Sequence, residues 1–329
     1  MGNFITLVSI ENTKLWKRIS AKVMLIIMVV LIVLGTGIYK YYIVSSKTST
    51  TTTVSQNWKQ ELQKTVTAEK IQLDQTEKST SKTAAASIGP IQKSIAENEY
   101  RINNNIKPES KSSIWTMVTG LYTSGFSSLI VLFVVIVCTA SVAGEFSEGT
   151  MKMMISRPYR RYEILSAKLI STLIYGIVLL ITTFVLLFLC LGIFFGFNGI
   201  NAKGMIWISS KIVYAPSALK TLFIFGLDFL QTIVFIIVAF AISAISRSRS
   251  IATGFSIFLV VIGTSILTLL ATLFTWGKYL PLAVTNFSGF VSTGTTIAGT
   301  SLSFALIISL AYSVLFCFLG YFIFEKRDI

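Results

Sequence analysis

The chain has 329 residues, 53% of them hydrophobic and only 13% charged, with a mean hydropathy of +0.74. Soluble globular domains carry about 25% charged residues, so the main body is not a soluble enzyme or binding module but a membrane protein. The formal charge of +14 is spread over several loops, which excludes a compact nucleic-acid-binding face, and the absence of histidine excludes a Ser-His triad or a His-containing metal site.

Taken in chain order, residues 8–22 place Ile10, Leu15 and Trp16 beside Lys14, Lys17 and Arg18. That is the make-up of a helix lying in a membrane interface, with apolar side chains inward and cations on anionic headgroups. Six apolar segments follow, at roughly 22–43, 114–143, 168–196, 219–245, 251–274 and 301–324, each long enough for about 30 Å of hydrocarbon. The first is longer than a signal-peptide core and lacks an Ala-x-Ala site, so it reads as an uncleaved anchor. An even number of spans puts both termini on one side. Lys14, Lys17, Arg18 and Lys22 precede the first span, Arg247 and Arg249 lie in the short 246–250 loop, and Lys326 and Arg327 are in the 325–329 tail. All share a side with a basic segment at 144–167, which makes that side cytoplasmic.

The segment 44–113 then lies outside, with ten Lys and Arg against seven Asp and Glu. Loops longer than about 60 residues translocate largely regardless of charge. A Ser/Thr-rich linker from Ser45 to Thr53 leads to Asn57–Lys82, where Leu62, Val66, Ile71 and Leu73 fall near helical spacing. Gly89-Pro90 predicts a break, and a second short helix from Ile91 to about Asn103 completes a hairpin that serves as a spacer or as a lid. Residues 197–218 read as a further outside loop. The 275–300 stretch, rich in Gly, Ser and Thr, is too polar for a span.

The island at 144–168 carries Glu145-Phe146, Gly149-Thr150, Arg157-Pro158 and Leu165 to Lys168 in that order. It resembles the loop between the second and third membrane helices of ABC-2 type transporter permeases. Residues 8–22 resemble the amphipathic N-terminal helix of those permeases, 95–108 a segment of their Gram-positive members, and Tyr321–Ile329 their aromatic last span with its basic-basic-Asp tail. The resemblance implies an all-α membrane protein: six spans, an interfacial N-terminal helix at 1–21, a helical insertion between the first two spans, and a re-entrant outer gate at 275–300. It further implies the permease subunit of an ATP-binding cassette exporter in a bacterial plasma membrane, paired with a second permease as a homo- or heterodimer. The expected substrate is an antimicrobial peptide or drug.

The chain has no Gly-x-x-x-x-Gly-Lys-Ser/Thr phosphate loop. It therefore binds no cofactor of its own, and the resemblance places ATP and Mg on two copies of a separate ATPase subunit. The candidate docking surface is Glu145, Phe146, Glu148, Gly149, Thr150, Arg157, Pro158, Arg160 and Arg161; the same charges also suit topology and lipid headgroups.

Within the membrane, Asp228 is the one acid well inside a span, and Gln231 shares its face. Such a residue marks a pathway or a protomer contact, or it is a hydrogen-bonded structural carboxyl. Gly120, Gly125, Ser127, Ser128, Ser243, Ala244 and Ser246 are expected at close helix contacts, and Cys138, Cys190 and Cys317 behave as small hydrophobes within apolar runs. One intramembrane acid supplies none of the paired groups a membrane enzyme needs. The alternative to export is a peptide-sensing or immunity protein whose 44–113 segment holds the ligand.

Overall fold

The computed structural model describes residues 4–45, 57–78, 85–107, 113–147, 149, 159–208, 211–246, 248–294, 297 and 299–326. Six helical spans are long and apolar enough to cross a membrane. A short helix α1 (Phe4–Lys17) precedes the first span, α2 (Ile19–Ser45); α3 (Trp58–Lys78) and α4 (Ala85–Asn103) form an antiparallel hairpin. The second span is α5 (Ile114–Leu121), a π-helical turn at Tyr122–Phe126, and α6 (Ser127–Ser147). The third is α7 (Arg161–Phe195), the fourth α8 (Ser217–Ile245), and the fifth α9 (Arg249–Phe258), a second π-helical turn at Leu259–Gly263, and α10 (Thr264–Leu273). A six-residue helix α11 (Phe287–Ser292) precedes the last span, α12 (Leu302–Glu325).

Burial separates a centre from a periphery. The apolar window of the second span is 72% buried and that of the fourth 56%, against 17% for the fifth and sixth and 22% for the first. The second span and α8 are therefore the packed axis, and α2, α10 and α12 present Ile, Leu, Val and Phe outward. Lipid gives helices no hydrophobic reason to associate, so close packing holds them. Gly320 shows how: a Cβ there would lie 3.3 Å from the Ala241 backbone of α8.

The fold departs from an all-α reading at one point. Two antiparallel strands pair between the third and fourth spans, β1 (Lys203–Ile208) and β2 (Lys211–Pro216), with Met205 opposite Tyr214 and Ile206 opposite Val213. The Ile, Val, Trp and Tyr residues at 206–214 are the β-branched and aromatic types that favour strands, a signal that the loop assignment of 197–218 passed over. A second difference is in α4, which starts at Ala85 and runs through Gly89-Pro90. Proline there removes the one donor that would bond the Ala86 carbonyl, and the helix continues through it to Asn103.

The 277–294 segment folds into the bundle. It begins with a 3₁₀ turn at Gly277–Tyr279 and carries Leu282, Ala283, Val284, Phe287 and Val291 into the core. Its backbone is satisfied from the spans: Thr268 donates to the Ala283 carbonyl at 3.3 Å, and the Tyr312 hydroxyl to the Tyr279 carbonyl at 2.8 Å. Irregular backbone at such depth is tolerated where protein buries it.

Candidate functional site

Two polar regions lie at opposite ends of the bundle. The first is a cavity of about 1020 Å³ beside the α3–α4 hairpin. One wall is a stripe on the second span, Thr116, Thr119, Gly120, Thr123, Ser127 and Ser128; the facing wall is Val260, Thr264, Ser265 and Thr268 of the fifth. The floor is α8 from Ser217 to Phe235, and α11 closes one side with Ser288, Gly289 and Ser292. At 1.5 Å per residue the stretch from Ser217 to Phe235 covers about 27 Å, most of a hydrocarbon core. Thr123 and Val260 belong to the two π-helical turns, so both spans are irregular where they border the cavity. π-Bulges concentrate at functional sites.

Gly120, Ser127 and Ser128 therefore line space, and a Cβ on Gly120 would meet nothing within 4 Å. Their expected role as close helix contacts is corrected for these three, while Ser243 and Ala244 are fully buried in helix packing. Gln231 lines the cavity. Asp228, one turn nearer the hairpin end, is only 3% exposed and lies behind the wall. The hydroxyls of Tyr122 and Ser288 face it, yet neither carboxylate oxygen closes a hydrogen bond of regular geometry.

The hairpin sits over this cavity. Its two helices are tied by Lys70–Glu99 at 2.6 Å and by Ser94 donating to Glu69 at 2.6 Å. Lys93 of α4 is 7% exposed and donates its ammonium to the Val291 carbonyl at 2.9 Å and to that of Ser292, capping the C-terminus of α11. Burial lowers the Lys93 pKa, the Lys220 charge lowers it further, and Glu97 opposes both. Gly294 turns the chain away at φ 89°, with its Cβ position 3.0 Å from the Gly89 carbonyl oxygen.

The second polar region is dry. Lys168, 1% exposed, donates at 2.7 Å to Glu11 Oε2 of α1 and at 2.7 Å to Glu145 Oε1 of α6. Arg18 stands 3.4 Å from Glu145 and also donates to the Ala140 carbonyl, and Lys14 is 2.7 Å from Glu11. Burial raises the Glu11 pKa, but Lys168 and Lys14 outweigh it and leave the group below its usual value of 4.5.

This places the residues singled out from sequence. α1 buries Leu7, Glu11 and Leu15 against α7, and Trp16 packs edge-on to Tyr175 at 5.4 Å. Ile10 and Lys17 are exposed, whereas Lys14 and Arg18 are engaged within the chain. Glu145 points into the bundle, so it is not part of an open docking surface. Phe146 is in the last turn of α6, and Gly149 is exposed with φ 69°, where glycine is unstrained. Arg160 is exposed at the start of α7, its N–H bonded to Glu163 at 2.8 Å, and Arg161 reaches the Glu325 carbonyl at 3.4 Å. Glu148, Thr150, Arg157, Pro158, Arg247, Arg327 and the linker from 46 to 53 lie outside the described residues. Among the described residues no cluster of His, Cys, Asp and Glu has the make-up of a metal site.

Sequence reading missed Glu11 as a partner. The signal was an acid midway between Leu7 and Leu15 on the buried face of α1, a position that only a paired carboxylate fills at low cost. The Thr116–Thr119–Thr123–Ser127 stripe was also legible as polar residues recurring on one face of a span.

Six apolar helices among the described residues, three of which border a polar cavity, define a multi-pass helical membrane protein. Residues 90–329 match a family described as "Protein of unknown function (DUF2705)", and the chain belongs to that family. It is similar to the uncharacterized protein YhcI of Bacillus subtilis (strain 168), with 33% identity over 237 residues covering 71% of this chain and 75% of the relative. It is also similar to the uncharacterized membrane protein YdbK of the same strain, with 26% identity over 211 residues covering 63% of this chain and 81% of the relative.

Proposed function

We propose that the chain is the permease subunit of an ABC-2 type exporter in a bacterial cell membrane. It forms its pathway with a second permease and is driven by two copies of a separate ATPase subunit that hold ATP and Mg. In this reading α1, the start of α7 and the end of α12 face the cytoplasm, and the α3–α4 hairpin lies outside.

The observation that carries the reading is a cavity entered from one end of a six-span bundle and sealed at the other. A hydroxyl-lined space along about 27 Å of α8 is far more polar surface than a structural bundle has reason to enclose. Below it the core closes, and the Glu11–Lys168–Glu145 cluster locks α1 to the ends of two spans. A pathway open on one side and shut on the other is half of an alternating-access cycle, and the motion to the other half needs work. The chain has no nucleotide-binding loop, so that work comes from a partner, and the exposed residues Gly149 and Arg160 belong to its contact surface. Hydrolysis belongs to the partner, and this chain is no enzyme.

The hairpin's anchorage on α11 favours a lid over the pathway rather than a free-standing peptide sensor. The test is purification of the tagged chain in mild detergent from its host. A nucleotide-binding subunit should co-purify with wild type and be reduced with Gly149→Trp and Arg157→Glu/Arg160→Glu. Its absence, under conditions that preserve other membrane complexes, overturns the permease reading.

A further inference from the structure

The cavity mouth carries an unbalanced charge. Arg101 is in the last turn of α4 and Lys107 follows it, Lys203 is on β1 and Lys220 is in the first turn of α8, and all four line the cavity. Glu97 is the one carboxylate among the described lining residues; it stands 3.7 Å from Lys93, and its charge also reaches Lys220. None of the four lining cations has a carboxylate within 4 Å among the described residues.

Position makes Lys220 more costly still. A helix N-terminus carries a partial positive charge and favours anions, so a lysine in the first turn of the 29-residue α8 opposes the dipole. The lysine is nonetheless held in place. A Cβ on Gly204 would lie 3.6 Å from Lys220 Cδ and 3.0 Å from Ser217 Oγ, so the β1 backbone lies directly on the lysine stem. Lys203 is steadied over the Tyr214 ring at 5.9 Å. On the sidedness proposed above, Lys203 and Lys220 also lie at a short outer loop, where the positive-inside rule disfavours basic residues. Cations kept there against dipole, topology and mutual repulsion are explained by an anion that visits them.

We propose that this cavity takes an anionic ligand bearing a phosphate-type headgroup, bound at the mouth by Arg101, Lys107, Lys203 and Lys220. The remainder of the ligand lies between the hydroxyl stripe of the second span and that of the fifth. Guanidinium and ammonium donors make their strongest hydrogen bonds to phosphate oxygens, and Ser and Thr walls suit a hydroxyl-rich portion such as a glycerol or sugar. A cationic antimicrobial peptide would meet like charge at the entrance. This deepens the permease reading by giving its pathway a substrate class.

The headgroup has two sources, a membrane lipid or a soluble phosphate compound, and two arms separate them. The full chain in phosphatidylcholine nanodiscs is titrated with sodium diphosphate, and separately reconstituted with increasing phosphatidylglycerol, with the unfolding midpoint as readout. Saturable stabilisation by diphosphate identifies the anion itself as sufficient, and stabilisation by phosphatidylglycerol alone identifies a lipid headgroup. In either case Lys220→Gln and Arg101→Gln should raise half-saturation about tenfold or more, while Lys220→Arg and Lys64→Gln on exposed α3 leave it near wild type. If Lys220→Gln fails to fold, Arg101→Gln and Lys203→Gln carry the test. No saturable response in either arm, or a response untouched by these variants, overturns the proposal. The binding assay needs no ATPase, so its failure and that of the co-purification are separate results.

Discussion

At one end of the bundle Lys168 lies 2.7 Å from both Glu11 and Glu145, 1% exposed, and Arg18 and Lys14 give each carboxylate a second cationic partner. At the other end Lys220, Arg101 and Lys203 border an open cavity with no carboxylate within 4 Å among the described residues, and Asp228 is buried nearby without a regular hydrogen bond. Both ends spend charged residues in or near a membrane, where charge is expensive. The paired end has already satisfied that cost internally, so its charges act as a latch between α1, α6 and α7. The unpaired end has not, and its charges remain available to something that arrives.

Breaking the latch should produce the largest effect. Lys168→Met leaves Glu11 and Glu145 facing each other without their shared cation, and removal of one member of a buried pair costs about 3–5 kcal/mol. The expected outcome is a large drop in unfolding midpoint in detergent, with loss of the protease protection of α1. A midpoint within error of wild type would mean that α1 is not latched. Glu11→Gln should cost less, because Lys168 keeps Glu145.

The same latch gives a pH dependence with a defined sign. The folded-state pKa of Glu11 is depressed below 4.5, so the unfolded chain binds more protons in that range. Its contribution is fully present above the unfolded value and is lost as pH falls through the folded one. Wild-type stability should decline more steeply than that of Glu11→Gln on acidification below pH 4.5. Parallel curves would contradict the depressed value.

At the hairpin end, Lys93→Met removes the donor from the Val291 and Ser292 carbonyls and leaves them unsatisfied, at a cost of about 1–3 kcal/mol. Because the lost contact joins two elements rather than two spans, hydrogen exchange should rise in α4 and α11 and remain unchanged in α8.

The spans were legible from sequence because about 20 consecutive apolar residues have few other fates, and six such helices are present among the described residues, although the third begins at Arg161, inside the stretch expected as loop. The β1–β2 hairpin was not, since six-residue strands between two spans carry little periodic signal beside the apolar runs flanking them. Asp228 and Gln231 were found because polarity inside a span is conspicuous. The latch was hidden for the opposite reason: Glu145 and Lys168 sit near span ends and Glu11 in the helix before the first span, where charge is ordinary, and only the fold brings 11, 145 and 168 together. The cavity cations were masked in the same way, since Arg101 and Lys203 belong to separate stretches outside the spans and Lys220 to the start of the fourth span.

The smallest stability effect is expected at Asp228. Asp228 is buried without a regular hydrogen bond, so replacing its carboxyl by an amide removes no closed interaction and spares the fold an unpaired charge. Asp228→Asn should leave the unfolding midpoint within about 0.5 kcal/mol of wild type or raise it slightly. If Asp228 serves the pathway, partner-driven transport should fall while ATPase co-purification persists. If it is structural, the midpoint should drop by an amount comparable to Lys93→Met with transport following only in proportion. The pair Lys168→Met and Asp228→Asn thus compares two buried ionisable groups, one paired at the end of the bundle and one without a regular hydrogen bond near the middle of α8.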